Sequence, residues 1–268
     1  MKVVDLGNFD TPVLLFGGPY SNLQATQALL QQAHDMQIKP SNLICTGDIA
    51  AYCAHPSETM DLIQQLDCPV VAGNCEKQLA VNAMDCGCGF DEGTTCDLLS
   101  AGWFAHASSQ VTDEQRDWMH NLPDVLVFTQ SGKRFAAIHG GITNISRFLW
   151  PTSPEAEFRE ELGAIEDVLG AVDGIIAGHC GMQFCRDLVD KIWINAGAIG
   201  MPANNGSADT SFAVLSSGKP EFHSLSYDVV SAVSAMKSAN LVKGYDVALQ
   251  TGYWPSEDIL PQELRAKR

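Results

Sequence analysis

"VLLFGGPYSNLQA", Val13 to Ala25, is an unbroken apolar run of strand length that turns through a Gly-Gly-Pro corner into the start of a helix. A run with no polar alternation reads as a strand buried on both faces, and the glycine corner reads as a loop shaped around a ligand. The unit recurs. Leu43–Cys45 is a strand that ends in "TGD", followed by a helix over 57–66; Val70–Ala72 is a strand that ends in "GN", followed by a helix over 76–84. Strands alternating with helices imply parallel pairing, with the loops after each strand collected at one edge of a sheet. The fold class is therefore α/β.

Downstream of this half, residues 85–110 are rich in Gly and Cys and read as an irregular insertion, long enough to form a lid. "TDEQRDWMHNL" opens a helix with a capping box, Thr112 answered by Gln115 three residues later. "DVLVFTQSGKRFAAIHGG" reads as two strands joined by a Ser-Gly-Lys turn, and a helix over 154–169 leads to a further strand, "GIIAGHCG". "KIWINAGAIG" and the hairpin "SFAVLSSGKPEFHSLSY" follow, and from about 228 a C-terminal helix and tail wrap back over the body. No repeat or linker divides the chain, so residues 1–268 read as a single domain.

The bulk properties narrow the function. The 268 residues carry a net charge of −16, which argues against a nucleic-acid partner because clustered Lys and Arg are needed to meet phosphates. It also disfavours free anionic substrates unless a metal supplies local positive charge. No apolar run is long enough to span a membrane and the N-terminus lacks an apolar signal core, so a cytoplasmic location with no membrane partner is expected. Nine scattered cysteines do not form a disulfide framework. Cys86, Cys88 and Cys96 lack the paired spacing of a structural zinc site, although a thiol-bound metal there is an alternative to plain reduced thiols.

Most of the information lies after the strand ends, in "FGGPYSN", "TGD", "AGNCE", "IHGG" and "AGHCG". Oxygen and nitrogen donors at the ends of several parallel strands are what a two-metal hydrolase needs. In order and spacing these loops resemble the calcineurin-like metallophosphoesterases, whose pattern is DxH, GD, GNHD or GNHE, HG and GHxH. "INAGAIGMPANNGSADTSFAVL" is similar to that family's NPGSVGxPR…SYAVL segment. "VTDEQRDWMHNLP", "SLSYDV" and "LQTGYWP" look most like its small prokaryotic branch. The resemblance implies two packed mixed β-sheets flanked by helices, an αββα sandwich.

It also implies a depleted site. Gly18 stands for the family's first Asp, Tyr20 for its His and Gly181 for the last His, all ligands of the first metal. Cys75 stands for the acid-base His, and Glu76 for the acidic residue that orients it. The second metal keeps Asp48, Asn74, His139 and His179, a donor set suited to one Mn, Zn or Fe ion. Tyr20 is expected to pack or hydrogen-bond over the vacant first position. Cys75 and Cys180 should border the site, as small filler or as a thiolate that binds metal or replaces the acid-base group.

A single cation cannot clamp both the attacking and leaving oxygens. Loss of one metal and of the acid-base His is therefore expected to cost on the order of 10³-fold in rate. Two readings follow. One is a phosphatase or phosphodiesterase acting with at most one metal on a small phosphorylated molecule or a phosphoprotein. The other is a catalytically inactive module, with one divalent metal or none, that binds a ligand or regulates a partner.

Overall fold

The computed structural model describes residues 1–266. Two mixed sheets pack face to face. The first contains β1 (Val3–Phe9), β4 (Val125–Gln130), β5 (Lys133–Ala137), β6 (Gly174–Ala177), β8 (Lys191–Ala196) and β7 (Gln183–Leu188), in the order β1-β4-β5-β6-β8-β7. The second contains β10 (Lys219–Leu225), β9 (Thr210–Ser216), β2 (Val13–Phe16) and β3 (Leu43–Cys45), in the order β10-β9-β2-β3. The pairs β1·β4, β5·β6, β6·β8 and β2·β3 are parallel, and the others are antiparallel. This is the expected αββα sandwich.

Alternation along β2 shows how the sequence produces the layers. Val13 and Leu15 face the other sheet with Phe128, Phe135, Ile176 and Ile194, while Leu14 and Phe16 face the helices on the outer side. Every residue of β2 is thus buried, and the unbroken apolar run follows from its place between two apolar layers. Full burial of side chains the size of Phe128 and Phe135 stabilises the sandwich by roughly 2–3 kcal/mol each. Six helices matter for the site: α1 (Leu23–Asp35), α2 (Pro56–Leu66), α3 (Asn74–Ala80), α4 (Thr95–Gln110), α5 (Asp113–Asn121) and α6 (Glu155–Leu169). Asn22 caps α1, accepting from Ala25 N at 3.1 Å, and donates to the Gly200 carbonyl at 3.0 Å. Two further helices close the chain, α7 (Val229–Ser238) and α8 (Tyr245–Thr251), and among the described residues no helix is long and apolar enough to cross a membrane.

Several local expectations need correction. The supposed irregular stretch 85–110 is irregular only to about residue 94, because Thr94 caps α4 by accepting from Asp97 N at 3.3 Å. Its helix escapes a periodicity reading because Leu98 is exposed while Ser100 is buried, so polar and apolar residues do not segregate to opposite faces. Val70–Ala72 makes only an isolated parallel bridge to Cys45 rather than a full strand. α3 begins at Asn74 and ends at Ala80, earlier than the 76–84 expected, with Asn82 in left-handed backbone just beyond it. β1 and β7 carry no apolar run at all. Both are edge strands of the larger sheet, paired on one side and half exposed, so their sequences never needed one.

Candidate metal centre

The four expected donors, spread from residue 48 to residue 179, come together, three of them around an atom of the fourth. His139 Nε2 lies 3.3 Å from Asp48 Oδ2, 3.0 Å from Asn74 Oδ1 and 3.1 Å from His179 Nδ1. Asp48 follows β3, Asn74 opens α3, and His139 and His179 follow the neighbouring parallel strands β5 and β6. Donor atoms of Asp48, His139 and His179 all lie within 4.8 Å of one another, the one such His/Cys/Asp/Glu group among the described residues.

Hydrogen bonds outside the cluster fix which atoms point inward. His139 Nδ1 donates to the Thr46 carbonyl at 2.6 Å, leaving Nε2 with its lone pair toward the centre. Asn74 Nδ2 donates to the Cys86 carbonyl at 2.8 Å, which aims Oδ1 inward. Asp48 Oδ1 accepts from Cys75 N at 3.3 Å, so Oδ2 is the oxygen free to ligate. His179 Nε2 is buried without a formed hydrogen bond, although backbone groups of Ser146 and Cys88 bear on the ring. Four lone pairs facing one another repel unless a cation or a proton stands between them. Their chemistry, one carboxylate, one amide oxygen and two imidazoles, fits a divalent metal.

Electrostatics agrees. Burial pushes the Asp48 carboxyl up, but the His139 and then the His179 imidazoles outweigh it and bring it down to about 2. Burial pushes His139 down, yet the adjacent Asp48 charge and hydrogen bond raise it above its usual value. His179, buried and next to His139, is pushed down to about 3. In the absence of metal the centre therefore keeps its charge as an Asp48–His139 pair with a neutral His179.

Glu76 plays a part other than the one implied by resemblance. It is fully buried, and its carboxylate accepts from Asp48 N at 2.7 Å, Ile49 N at 2.7 Å and Gly73 N at 2.8 Å. It staples the Asp48 loop to the start of α3 instead of orienting an acid-base group. The staple needs a close approach, and a Cβ on Gly73 would stand only 2.7 Å from Asp48 N. Asp48 and His179 both adopt left-handed backbone, with φ of 59° and 61°, strain of the kind that surrounding contacts must hold in place at functional sites.

The Tyr20 ring packs against Gly18 and points its hydroxyl toward Gly181. Gly18 has φ 48°, and a Cβ there would stand 2.6 Å from Cε2 of Tyr20. A Cβ on Gly181 would stand 3.6 Å from the Tyr20 hydroxyl. The phenol ring thus spans the two glycines, and burial followed by the Asp48 charge holds the hydroxyl well above its usual pKa. Cys75 is buried in the wall. Burial and the Asp48 charge push its thiol pKa up, which favours the protonated thiol while no metal is bound. Cys180, also buried, lines the neighbouring pocket, its thiol pushed up to about 12 by burial. Cys86 and Cys88 are bonded to each other and Cys96 is a separate buried thiol, so the alternative three-sulfur metal site does not form.

Beside the centre lies a cavity of about 70 Å³. Its walls include Tyr20, Tyr52, Phe148, Tyr245 and Trp254, with the Phe148 ring 4.2 Å from that of His179. Sequence reasoning named the four side chains that come together here but missed these rings and the carbonyls of Thr46 and Cys86. "RFLWP" after "IHGG" was the available signal for Phe148.

A family description, the calcineurin-like phosphoesterase superfamily domain, matches residues 20–219. The uncharacterized protein MJ0912 of Methanocaldococcus jannaschii is 25% identical over 231 residues, covering 80% of this chain and 86% of its own. Two crystal structures share the fold. Hypothetical protein PH1004 from Pyrococcus horikoshii OT3 has a TM-score of 0.75 at 16% identity, covering 91% of this chain and 98% of its own. A metallophosphoesterase from Sphaerobacter thermophilus has a TM-score of 0.69 at 18% identity, covering 91% and 100%.

Proposed function

The chain belongs to the calcineurin-like phosphoesterase superfamily, and from that premise we propose that it is a phosphate-ester hydrolase working with one divalent cation, held by Asp48, Asn74, His139 and His179. The observation that carries the reading is the convergence of three donor atoms on His139 Nε2 within 3.3 Å. A divalent cation at such a centre supplies Lewis acidity, polarising a phosphoryl oxygen and acidifying water.

The rest is the work of this chain's residues. Thr46 and Cys86, through their carbonyls, keep His139 and Asn74 pointed at the ion. Glu76 holds the Asp48 loop, so little rearrangement accompanies binding. Tyr20 excludes a second ion and remains a neutral hydrogen-bond donor. A thiol rather than an imidazole stands at Cys75, so the reading favours esters whose leaving group departs without a strong general acid, such as aryl esters.

The test is hydrolysis of bis(p-nitrophenyl) phosphate and p-nitrophenyl phosphate with manganese, zinc or iron, in the wild type and in Asp48→Ala. Metal-dependent turnover that disappears in the variant supports the hydrolase. Metal uptake with no turnover favours the binding module, for which the Tyr20 ring against Gly18 and the thiol at Cys75 argue.

A further inference from the structure

The cavity beside the metal centre has an unusual composition for a phosphate site. None of the described residues lining it is Lys or Arg, while Tyr52, Phe90, Phe148, Tyr245 and Trp254 present rings or ring edges. The rings fall into two groups around the cavity: Tyr52 lies 4.7 Å from Tyr20 and 4.6 Å from Tyr245, and Phe148 lies 6.3 Å from Phe90 and 4.2 Å from the His179 ring. Arg147, on the same loop as Phe148, is not available to the pocket. Its guanidinium binds Glu160 at 2.7 Å and the buried Glu161 at 2.8 Å.

Charge then limits the ligand. One divalent cation plus the Asp48 carboxylate leaves a net charge of about +1, the Glu76 carboxylate being met by the backbone N–H groups of Asp48, Ile49 and Gly73. A dianionic phosphomonoester would leave an uncompensated negative charge against apolar walls, which is costly, whereas a monoanion is balanced. Resting on the metal centre proposed above, we infer that this pocket selects a singly charged phosphodiester bearing an aromatic group, with the ring packed on the Phe148–Trp254 wall. Phosphomonoester dianions are discriminated against. Phe148, Tyr245 and Trp254 are specificity residues in this account; they touch the ester group and not the metal.

The experiment uses binding, with probes whose P–C bonds cannot be hydrolysed. Metal uptake by the full chain is first measured by calorimetry. The loaded protein is then titrated at about pH 8 with methyl(phenyl)phosphinate, which has one charge and one ring. Dimethylphosphinate has one charge and no ring, and phenylphosphonate has one ring and close to two charges. Binding is followed by calorimetry and by quenching of tryptophan fluorescence.

Methyl(phenyl)phosphinate should bind about tenfold more tightly than either other probe. Trp254→Leu should remove most of that advantage while metal uptake is unchanged, and Ser256→Lys, at the pocket wall, should shift preference toward phenylphosphonate. Equal binding of dimethylphosphinate, or a preference for phenylphosphonate in the wild type, overturns the inference while leaving the hydrolase reading intact. A chain that takes up no metal overturns both.

Discussion

The ring of Tyr20 lies against the Cα of Gly18 so closely that a Cβ on that glycine would stand 2.6 Å from its Cε2. Gly18, with no side chain, and Tyr20, whose ring fills the space beside it, are thus sterically coupled. A single substitution therefore differs from a concerted one.

Gly18→Asp alone should not create a second metal site. The new side chain meets the Tyr20 ring in left-handed backbone, and the variant should lose about 2–3 kcal/mol in urea unfolding. The triple variant Gly18→Asp, Tyr20→His, Gly181→His removes the ring and restores the donors. Its metal content, measured by mass spectrometry, should rise from one ion to two per chain.

Glu76→Gln should destabilise the protein by about 2–3 kcal/mol, because an amide NH₂ group then faces backbone donors that a carboxylate had satisfied. It should also weaken metal binding at least severalfold, since Asp48 loses its anchor. Chemical denaturation and calorimetric metal titration check the two effects separately.

Metal binding should release a proton and tighten as pH rises through the elevated pKa of His139. Protonated Nε2 competes with the ion, while Asp48 at about 2 and His179 at about 3 are already deprotonated. Titration in buffers of different ionisation enthalpy reads the proton directly.

Without metal, these three groups should give stability a maximum near pH 6.5. Below His179's ordinary 6.5, the unfolded chain takes up a proton that the folded ring refuses down to about 3, so stability falls as pH falls. His139, raised when folded, contributes fully below 6.5 and loses that contribution as pH rises through its folded value. The lowered Asp48 adds a further loss between 3.8 and about 2. Thermal unfolding of the metal-free protein from pH 4 to 9 measures the curve, and the maximum should flatten in a His139→Gln, His179→Gln double variant.

Cys75→Ser should leave turnover within about threefold of wild type, because a thiol that stays protonated is neither base nor nucleophile. A pH–rate profile that loses a limb in this variant would contradict that assignment.

What was legible in the sequence followed burial. β2, β5, β6 and β8 have neighbours on both sides, and β3, at the edge of the smaller sheet, is nonetheless buried along its whole length. They appear as apolar runs, and the donors at their ends could be placed in register. β1 and β7, at the edges, lack that cover and were invisible, as was α4, whose apolar residues do not segregate to one face. In the site, side-chain donors could be read, but the carbonyls of Thr46 and Cys86 could not, because any residue type supplies a carbonyl. Glu76 was noticed, but its role as a backbone staple depends on a three-dimensional approach that adjacency in sequence does not encode.

The central claim is that this centre holds one ion and excludes a second. Its most direct test is to count metal in protein saturated with manganese or zinc, by mass spectrometry and calorimetry, for the wild type and for His139→Ala. The account predicts one equivalent in the wild type and none retained in the variant. Two equivalents in the wild type, or one equivalent that survives loss of His139, would contradict it.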